Sequence, residues 1–292
     1  MSASHLDGLE TRPLAELTSA EAADAMNRSF EGYVVPVHMS PEAYERRMRA
    51  EDLDPYASCV LIDGGAPAGV VLVARRGWTS RIAAMGIVPG LRGQGVGRRA
   101  MAWAIDEAHA RGDSALLLEV IEQNVRALRL YESLGFQRAR RLVGWRREPG
   151  APSTKQSVRE ALVEVDPLTL SRVVAREGEP DLPWALTAET LSAASAPARA
   201  LHLEGEAYAL VADPAAATLV LSALIVRREA RRRGWGRALW RQLEQAFPGC
   251  AWLVPPVVPE GVACGFFEAI DWERHPISQL EMTLTLRRAP VT

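Results

Sequence analysis

Ile87-Val88-Pro89-Gly90-Leu91-Arg92-Gly93-Gln94-Gly95-Val96-Gly97-Arg98 is the stretch on which the fold turns. An apolar run ends in a glycine-rich turn, and a helical pattern starts directly behind it. Glycines are required where backbone N–H groups converge on a phosphate with no Cβ atoms between them. A helix starting there adds its own free N–H groups and the positive end of its dipole. Gly93, Gln94, Gly95, Val96 and Gly97 therefore form a candidate pyrophosphate cradle, with Arg92 and Arg98 as charge-assisted partners. Taken alone, R-x-x-G-x-G fits a plain strand-to-helix turn equally well.

Outward from this turn, residues 81–88 read as a strand. Residues 97–110 read as a helix with Val96, Ala100, Trp103 and Ile105 roughly on one face and Gly112 at its end. Residues 115–120 are almost wholly apolar and read as a strand buried on both faces. Asn124 can cap the helix that follows, which stops at Gly135, and 136–147 is strand again. Upstream, 12–17 suggests a first strand, and Thr18 or Ser19 starts a helix towards Phe30. Ser40 and Pro41 start another helix to residue 50. Residues 58–63 and 69–75 form a hairpin about Gly64-Gly65.

The same order recurs downstream. Residues 201–213 suggest a hairpin and 218–226 a strand. A second glycine turn, Arg231-Arg232-Arg233-Gly234-Trp235-Gly236-Arg237, opens a helix with Leu239, Leu243 and Phe247 in phase that ends at Pro248. A strand follows at 251–254, a helix at 261–270, and a final alternating strand at 279–286. Arg92, Gly95 and Gly97 align with Arg231, Gly234 and Gly236, and Tyr131-Glu132 with Phe267-Glu268, as in an internal duplication. The Pro/Gly/Ser-rich segment around 148–157 is the expected linker between a domain over 1–147 and another over 158–292.

Composition sets outer bounds. The chain has 292 residues, 48% hydrophobic and 24% charged, with a net charge of −2, so nothing overall favours nucleic acid or a membrane surface. Lys155 is the sole lysine. Cys59, Cys250 and Cys264 form no C-x-x-C pair and no zinc spacing, so no metal is expected, and they read as reduced core thiols. The N-terminal residues lack a leader pattern, and no run approaches the ~20 apolar residues of a membrane helix. A cytoplasmic monomer or homodimer is expected.

Glu119 and Tyr131 are the candidate proton-transfer groups of this half: a carboxylate can take a proton and a phenol can give one. Glu119 sits in an apolar strand, where desolvation raises its pKa towards that of a useful base. Each residue also has a plain structural role: Tyr131 is in phase with Ala127, Leu128 and Leu134, Asn124 is a cap, and Glu119 can pair with an arginine.

Leu118-Glu119-Val120, Asn124, Ala127, Leu130-Tyr131-Glu132 and Gly135-Phe136, together with the glycine turn, resemble the GCN5-related N-acetyltransferase (GNAT) family, and most of all its ribosomal-protein N-terminal acetyltransferases. The resemblance spans nearly the whole first half. It implies an α/β protein of two tandem GNAT-like domains, each a mixed, splayed sheet flanked by helices. It implies acetyl-CoA as cosubstrate and an amine as acceptor, with direct attack and no acyl-enzyme. It further implies Glu119 as base, Tyr131 as acid, Asn124 on the coenzyme arm, and backbone around Ile87 and Val88 pairing with pantetheine. The second copy departs from the pattern, with Phe267 for Tyr131 and Val254-Pro255 for Glu119-Val120, so a catalytically silent domain is expected there.

Two other readings stand beside this one. A non-catalytic acyl-CoA-binding sensor would keep the cradle, although it would have no use for the Glu119/Tyr131 pair. A Rossmann oxidoreductase would explain Gly95-Val96-Gly97-Arg98-Arg99-Ala100 with Glu119. It is opposed by the residues separating strand from glycine and by the lack of a further βαβ series. No Gly-Lys-Ser/Thr follows either turn, which excludes a Walker loop. Around the acceptor, Glu31 can bind a cationic amine and Tyr33 can pack on it. His38 has no evident partner, and Trp78 and Trp145 read as core or cleft.

Overall fold

A computed structural model describes residues 6, 8–150 and 161–286, apart from the side chain of Cys264. The chain packs as two compact units. One comprises the residues up to Ala139 together with those from Leu280 onward, and the other is Arg140–Gln279.

In the first unit, β1 (Glu10–Pro13) leads through a 3-10 turn at Leu14–Glu16 to helix α1 (Ser19–Ser29). Thr18 and Glu21 close a reciprocal capping box that fixes the start of this helix. Helix α2 (Pro41–Glu51) starts at Ser40, whose Oγ accepts from Ala43 N at 3.2 Å, with Pro41 in the first turn. Strands β2 (Cys59–Asp63) and β3 (Ala66–Arg76) are joined by Gly64-Gly65, both at positive φ, as a two-residue hairpin turn demands. Then follow β4 (Thr79–Ile87), α3 (Val96–Ala110), β5 (Ala115–Ile121) and α4 (Val125–Ser133). The sheet runs β1-β2-β3-β4-β5, antiparallel except for the parallel β4–β5 pair.

Two expectations change here. The buried face of α3 is Val96, Ala100, Met101, Ala104 and Ala108, while Trp103 and Ile105 sit at its margin. Small side chains along this line let the helix approach the sheet closely. Strand β5 is not buried on both faces. Leu116, Leu118 and Val120 are buried, whereas Ala115, Leu117 and Glu119 are partly open, and Glu119 lines the site described below.

The second unit contains β6 (Gln137–Arg147, from Arg140 on), β7 (Val163–Val165), α5 (Pro167–Glu177), α6 (Ala188–Ser192), β8 (Arg199–Leu203), β9 (Ala207–Val211) and β10 (Thr218–Val226). It continues with α7 (Trp235–Ala246), β11 (Ala251–Pro259), α8 (Cys264–Glu268) and β12 (Glu273–Arg274). Its sheet runs β6-β11-β10-β9-β8-β7, with β12 on β6. The start of α5 carries a legible signal, Asp166 as cap (Oδ1 accepting from Leu168 N at 2.7 Å) and Pro167 behind it, which the duplication-based reading passed over. Strand β11 is longer than expected because it continues past an irregularity between Val254 and Val258. Helix α8 is shorter, since 261–263 are a turn with Ala263 at positive φ.

The last strand, β13 (Gln279–Thr285), lies beside β5 in the first unit, while β6 lies beside β11 in the second. A boundary at 147 with a whole domain at 158–292 therefore differs from the packing. β13 pairs within the first unit although it lies last in the sequence, and such long-range pairing is not readable from local pattern. Residues 151–157 of the expected linker lie outside the described residues. Of the cysteines, Cys59 is a core thiol that burial pushes up to about 12, whereas Cys250 is only half-buried.

In each unit one strand bends at a single unmatched residue. The β3–β4 register passes from Leu72↔Ala84 to Val73↔Ile82, leaving Ala83 as a bulge. The β4–β5 pairing runs only from Thr79↔Ala115 to Ile82↔Leu118, so β4 parts from β5 at this bulge. In the second unit Ser222 is the bulge, and β10–β11 pairing stops at Val220↔Leu253.

Leu280, Met282 and Leu286 are buried in the core of the first unit. At about 1.5–3 kcal/mol each, their burial rivals a whole domain's stability of about 5–15 kcal/mol. A fragment ending at Arg147 is expected to show no cooperative urea transition by circular dichroism, whereas the full chain does.

Candidate active site

The parting of β4 and β5 opens a cavity of about 600 Å³ in the first unit. Its walls are residues 83–87 of β4, Leu118, Glu119 and Val120 of β5, the glycine turn, and Asn124, Arg126, Ala127, Leu130 and Tyr131 at the start of and along α4. Met26, Ser29, Phe30, Tyr33, Val34, Val37 and Arg47 close the side towards α1 and α2. The expected Glu119, Tyr131 and Asn124 are thus brought to one place with Gly93, Gly95, Gly97 and Arg98 of the cradle, whereas Gln94 and Val96 are off the wall and the Val96 side chain is buried in the core.

Gly93 and Gly95 both adopt positive φ, at 86° and 79°. The first hydrogen bond of α3 runs from Arg99 N to Gly95 O at 3.1 Å. Among the described residues, no bond uses the amides of Gly93, Gln94, Gly95, Val96, Gly97 or Arg98. A 15-residue helix therefore presents its positive end and a fan of unused donors to the cavity.

The cations divide into two roles. Arg92 does not point to the cradle. Its Nε donates to Ile87 O at 2.8 Å, and its Nη2 donates to Ser29 O at 3.2 Å and Glu31 O at 2.6 Å. It clamps the end of α1 to the end of β4 because both leave carbonyls without partners. Arg231 repeats the clamp in the second unit, on Val226 O (3.1 Å) and Glu177 O (2.5 Å). Arg98 lines the cavity and donates to Ser133 Oγ at 2.6 Å. Arg126 was not singled out in the sequence. A Cβ on Gly93 would lie 3.2 Å from its Nη2, and no hydrogen bond within the described residues engages it. A cation in the first turn of a helix opposes the dipole, and that signal points to an anion nearby.

Expected pairing at Ile87 and Val88 is displaced. Val88 N donates to Ala68 O at 3.0 Å and Ile87 O is taken by Arg92, while Val88 does not line the cavity. The edge of β4 left without a strand partner lies upstream, at 83–86. Gln94 turns its side chain back to Gly90 O at 2.8 Å, so it offers only its amide. Asn124 serves two ends: Oδ1 accepts from Ala127 N at 3.1 Å as a cap, and its amide nitrogen has no partner among the described residues.

Glu119 is 10% exposed and paired. Arg81 Nε lies 3.0 and 2.7 Å from its two oxygens, and Arg81 Nη1 lies 2.7 Å from Glu51 Oε2. Glu51 in turn meets Arg47 Nε at 2.9 Å, and Arg47 Nη2 donates to the bulged Ala83 O at 2.8 Å. Burial raises the Glu119 carboxyl above its ordinary value. Arg81 works against this rise, and Glu281 on β13 and Glu51 add to it. Glu51 is also buried yet is held below the ordinary value, because two arginines face it instead of one. Tyr131 is buried, its ring edge-on to Phe136 at 6.0 Å, and its hydroxyl has no hydrogen bond among the described residues. Burial, and secondarily Tyr33, push its phenol well up, so it remains protonated.

Tyr33 lines the cavity edge-on to Phe30 at 5.2 Å, whereas Glu31 is exposed and His38 lies off the wall. Trp78 is exposed and Trp145 lies in the core of the second unit, so neither lines this site.

The matching registers Thr79↔Ala115 and Thr218↔Ala251 place Val220 where Arg81 stands and Pro255 where Glu119 stands, one residue beyond the position expected. Both halves of the buried ion pair are therefore absent from the second unit. Phe267 lies stacked on Trp145 at 4.4 Å.

The sequence model of the acetyltransferase (GNAT) family matches residues 21–136. This segment is a GNAT-family domain. The chain is 35% identical over 88 residues to streptothricin acetyltransferase of Streptomyces lavendulae, covering 30% of this chain and 47% of that protein. It is 47% identical over 51 residues to the [ribosomal protein bS18]-alanine N-acetyltransferase of Escherichia coli K12, covering 18% and 34%. The chain thus spans less than half the length of these curated relatives. A tandem GNAT protein from the clavulanic acid biosynthesis pathway superposes with a TM-score of 0.67 at 17% identity, over 96% of this chain and 99% of that one. That likeness is one of fold: the chain has the tandem GNAT architecture, with a mixed sheet and flanking helices in each unit.

Arg92→Ala removes three charge-assisted hydrogen bonds that tie α1 to β4. It is expected to lower stability by roughly 2–3 kcal/mol in urea unfolding. Arg126→Ala, on an exposed and unpaired side chain, is expected to change it by no more than about 0.5 kcal/mol.

Proposed function

We propose that the first unit transfers an acetyl group from acetyl-CoA to an amine by direct attack, while the second unit performs no transfer. One observation carries this reading: the unused amides of the glycine turn, Glu119 and Tyr131 line a single cavity. The amide fan, Arg98 and Arg126 suit a pyrophosphate, and the unpaired edge of β4 at 83–86 suits an extended amide-bearing arm. Acetyl-CoA supplies an activated acetyl thioester. Glu119 takes the proton that the ammonium must lose before its nitrogen attacks. The N–C bond forms as the C–S bond breaks, and Tyr131, kept protonated by burial, gives its proton to the leaving thiolate. Arg81 holds the Glu119 carboxylate in place through Nε.

Val220, Pro255 and Phe267 leave the second unit without base or acid at these positions, which supports a silent copy. For the acceptor, the names of the two relatives suggest the first amines to screen: streptothricin and an N-terminal alanine of a ribosomal-protein peptide.

Release of free thiol from acetyl-CoA in the presence of such amines tests the reading. Tyr131→Phe is expected to lower kcat about 100-fold with little change in KM for acetyl-CoA. Arg126→Ala is expected to raise that KM about tenfold and leave kcat near wild type. Equal kcat in Tyr131→Phe and wild type refutes the assignment of the acid.

The pH profile follows from the charges around Glu119. The base works when ionised, so kcat/KM falls as pH drops through its raised value. Arg81 holds that value down, so Arg81→Gln shifts the acid limb to higher pH. Glu281 pushes it up, so Glu281→Gln shifts the limb to lower pH. A limb that stays in place in both variants removes Glu119 as the base.

A further inference from the structure

The second unit has kept its cavity while losing its ionisable centre. The space between β10 and β11 measures about 890 Å³, against about 600 Å³ in the first unit. Val220 and Pro255 stand at the positions of Arg81 and Glu119, neither of them on the cavity wall, which offers Leu182, Leu186, Leu221, Ile225, Val258 and Phe267. The one carboxylate on its lining, Glu179, is tied to Arg231 at 2.9 Å. Large apolar hollows cost stability, and side chains of greater bulk readily fill them. Instead, Ala223, Gly261, Gly265 and Ala269 line this one with little bulk.

The rim has the opposite character. Arg232 and Arg237 stand at the mouth, with no carboxylate paired to either among the described residues. The first bond of α7 runs from Ala238 N to Gly234 O at 3.0 Å, so the amides of Gly236 and Arg237 face the cavity unused. Arg232 occupies the position of Gly93 and holds a positive φ of 63°, so here the turn itself carries a cation, whereas in the first unit Arg126 of α4 supplies one beside Gly93. A cationic rim over an apolar hollow complements an anionic head on a hydrocarbon tail.

We propose that the second unit binds a medium- or long-chain acyl group carried on an anionic head, and binds it without chemistry. This site is separate from the transfer cavity of the first unit and does not depend on the transfer reading. The shared ligand chemistry is an acyl chain with an anion at its end, and a free carboxylate or a coenzyme A thioester can both supply it.

Calorimetric titration of the full chain with octanoate, decanoate and dodecanoate, and with their coenzyme A thioesters, tests the proposal. Affinity is expected to tighten about fourfold per added methylene, the value for apolar burial. A Cβ on Gly265 meets no atom within 4 Å, so Gly265→Phe adds bulk without displacing backbone. Gly265→Phe and, independently, Ala223→Leu are expected to abolish the chain-length dependence. Arg232→Asn, whose side chain tolerates positive φ, is expected to weaken binding about fivefold. Binding of both ligand series assigns the head as any anion, and binding of thioesters alone assigns it as coenzyme A. Either result supports the site. Three results overturn it: no binding, affinity independent of chain length, or wild-type chain-length dependence in both cavity-filling variants when their circular dichroism matches wild type.

Discussion

A single unmatched residue, Ala83, sets the geometry on which the first unit depends. Two parallel strands held in register leave no room between them for a ligand. The bulge turns β4 away from β5 after Ile82↔Leu118, and the gap becomes the cavity. Once the strands part, the edge at 83–86 loses its neighbour, the side chain of Glu119 faces open space, and the glycine turn lies at the far end of the same opening. Arg47 holds the carbonyl of the bulged residue, so the bend is tied to α2 as well as to the sheet.

The charges of the site are arranged around that bend. Arg81 stands between Glu119 and Glu51, and Arg47 stands beyond Glu51. In such an alternating row each carboxylate responds to the number of guanidinium groups facing it. Glu51, with two, stays low, and Glu119, with one and deep burial, rises. The row thus holds one carboxylate as a fixed anion and leaves the other with a raised affinity for protons. Arg92 belongs to a separate system. Its clamp on Ile87 O and the end of α1 recurs as Arg231 in the second unit, so the first residue of R-x-x-G-x-G is conserved between the two copies for architecture. The second copy also keeps the bulge, the parting of the strands and the glycine turn, while its α8 is shorter than α4 and the ionisable side chains of the cleft are replaced.

Much of this was legible in the chain. The capping signals at Thr18, Ser40 and Asn124, the Gly64-Gly65 hairpin, the glycine turn and the duplication rest on local rules of φ, capping and periodicity, and the structure follows each of them. Glu119 and Tyr131 were visible as candidates because their types and spacing suit proton transfer. What was not legible depends on partners far away in sequence. Arg81 lies 38 residues from Glu119, and no local pattern joins them. Arg92 reads as a phosphate ligand until the carbonyls of α1 are seen beside it. Arg126 looks like one arginine among many until it is found next to Gly93.

The sequence by itself determined the elements, the two glycine turns and the side chains available for chemistry, because each follows from the preferences of a few neighbouring residues. Tertiary structure decided which strand closes each sheet, where β4 leaves β5, and which arginines hold the fold and which face a ligand. Those outcomes are settled by pairing and burial between segments remote in the chain. Leu280 and Met282 of β13 find their apolar partners in the core of the first unit, far away in sequence, and Val143 and Trp145 of β6 find theirs in the core of the second.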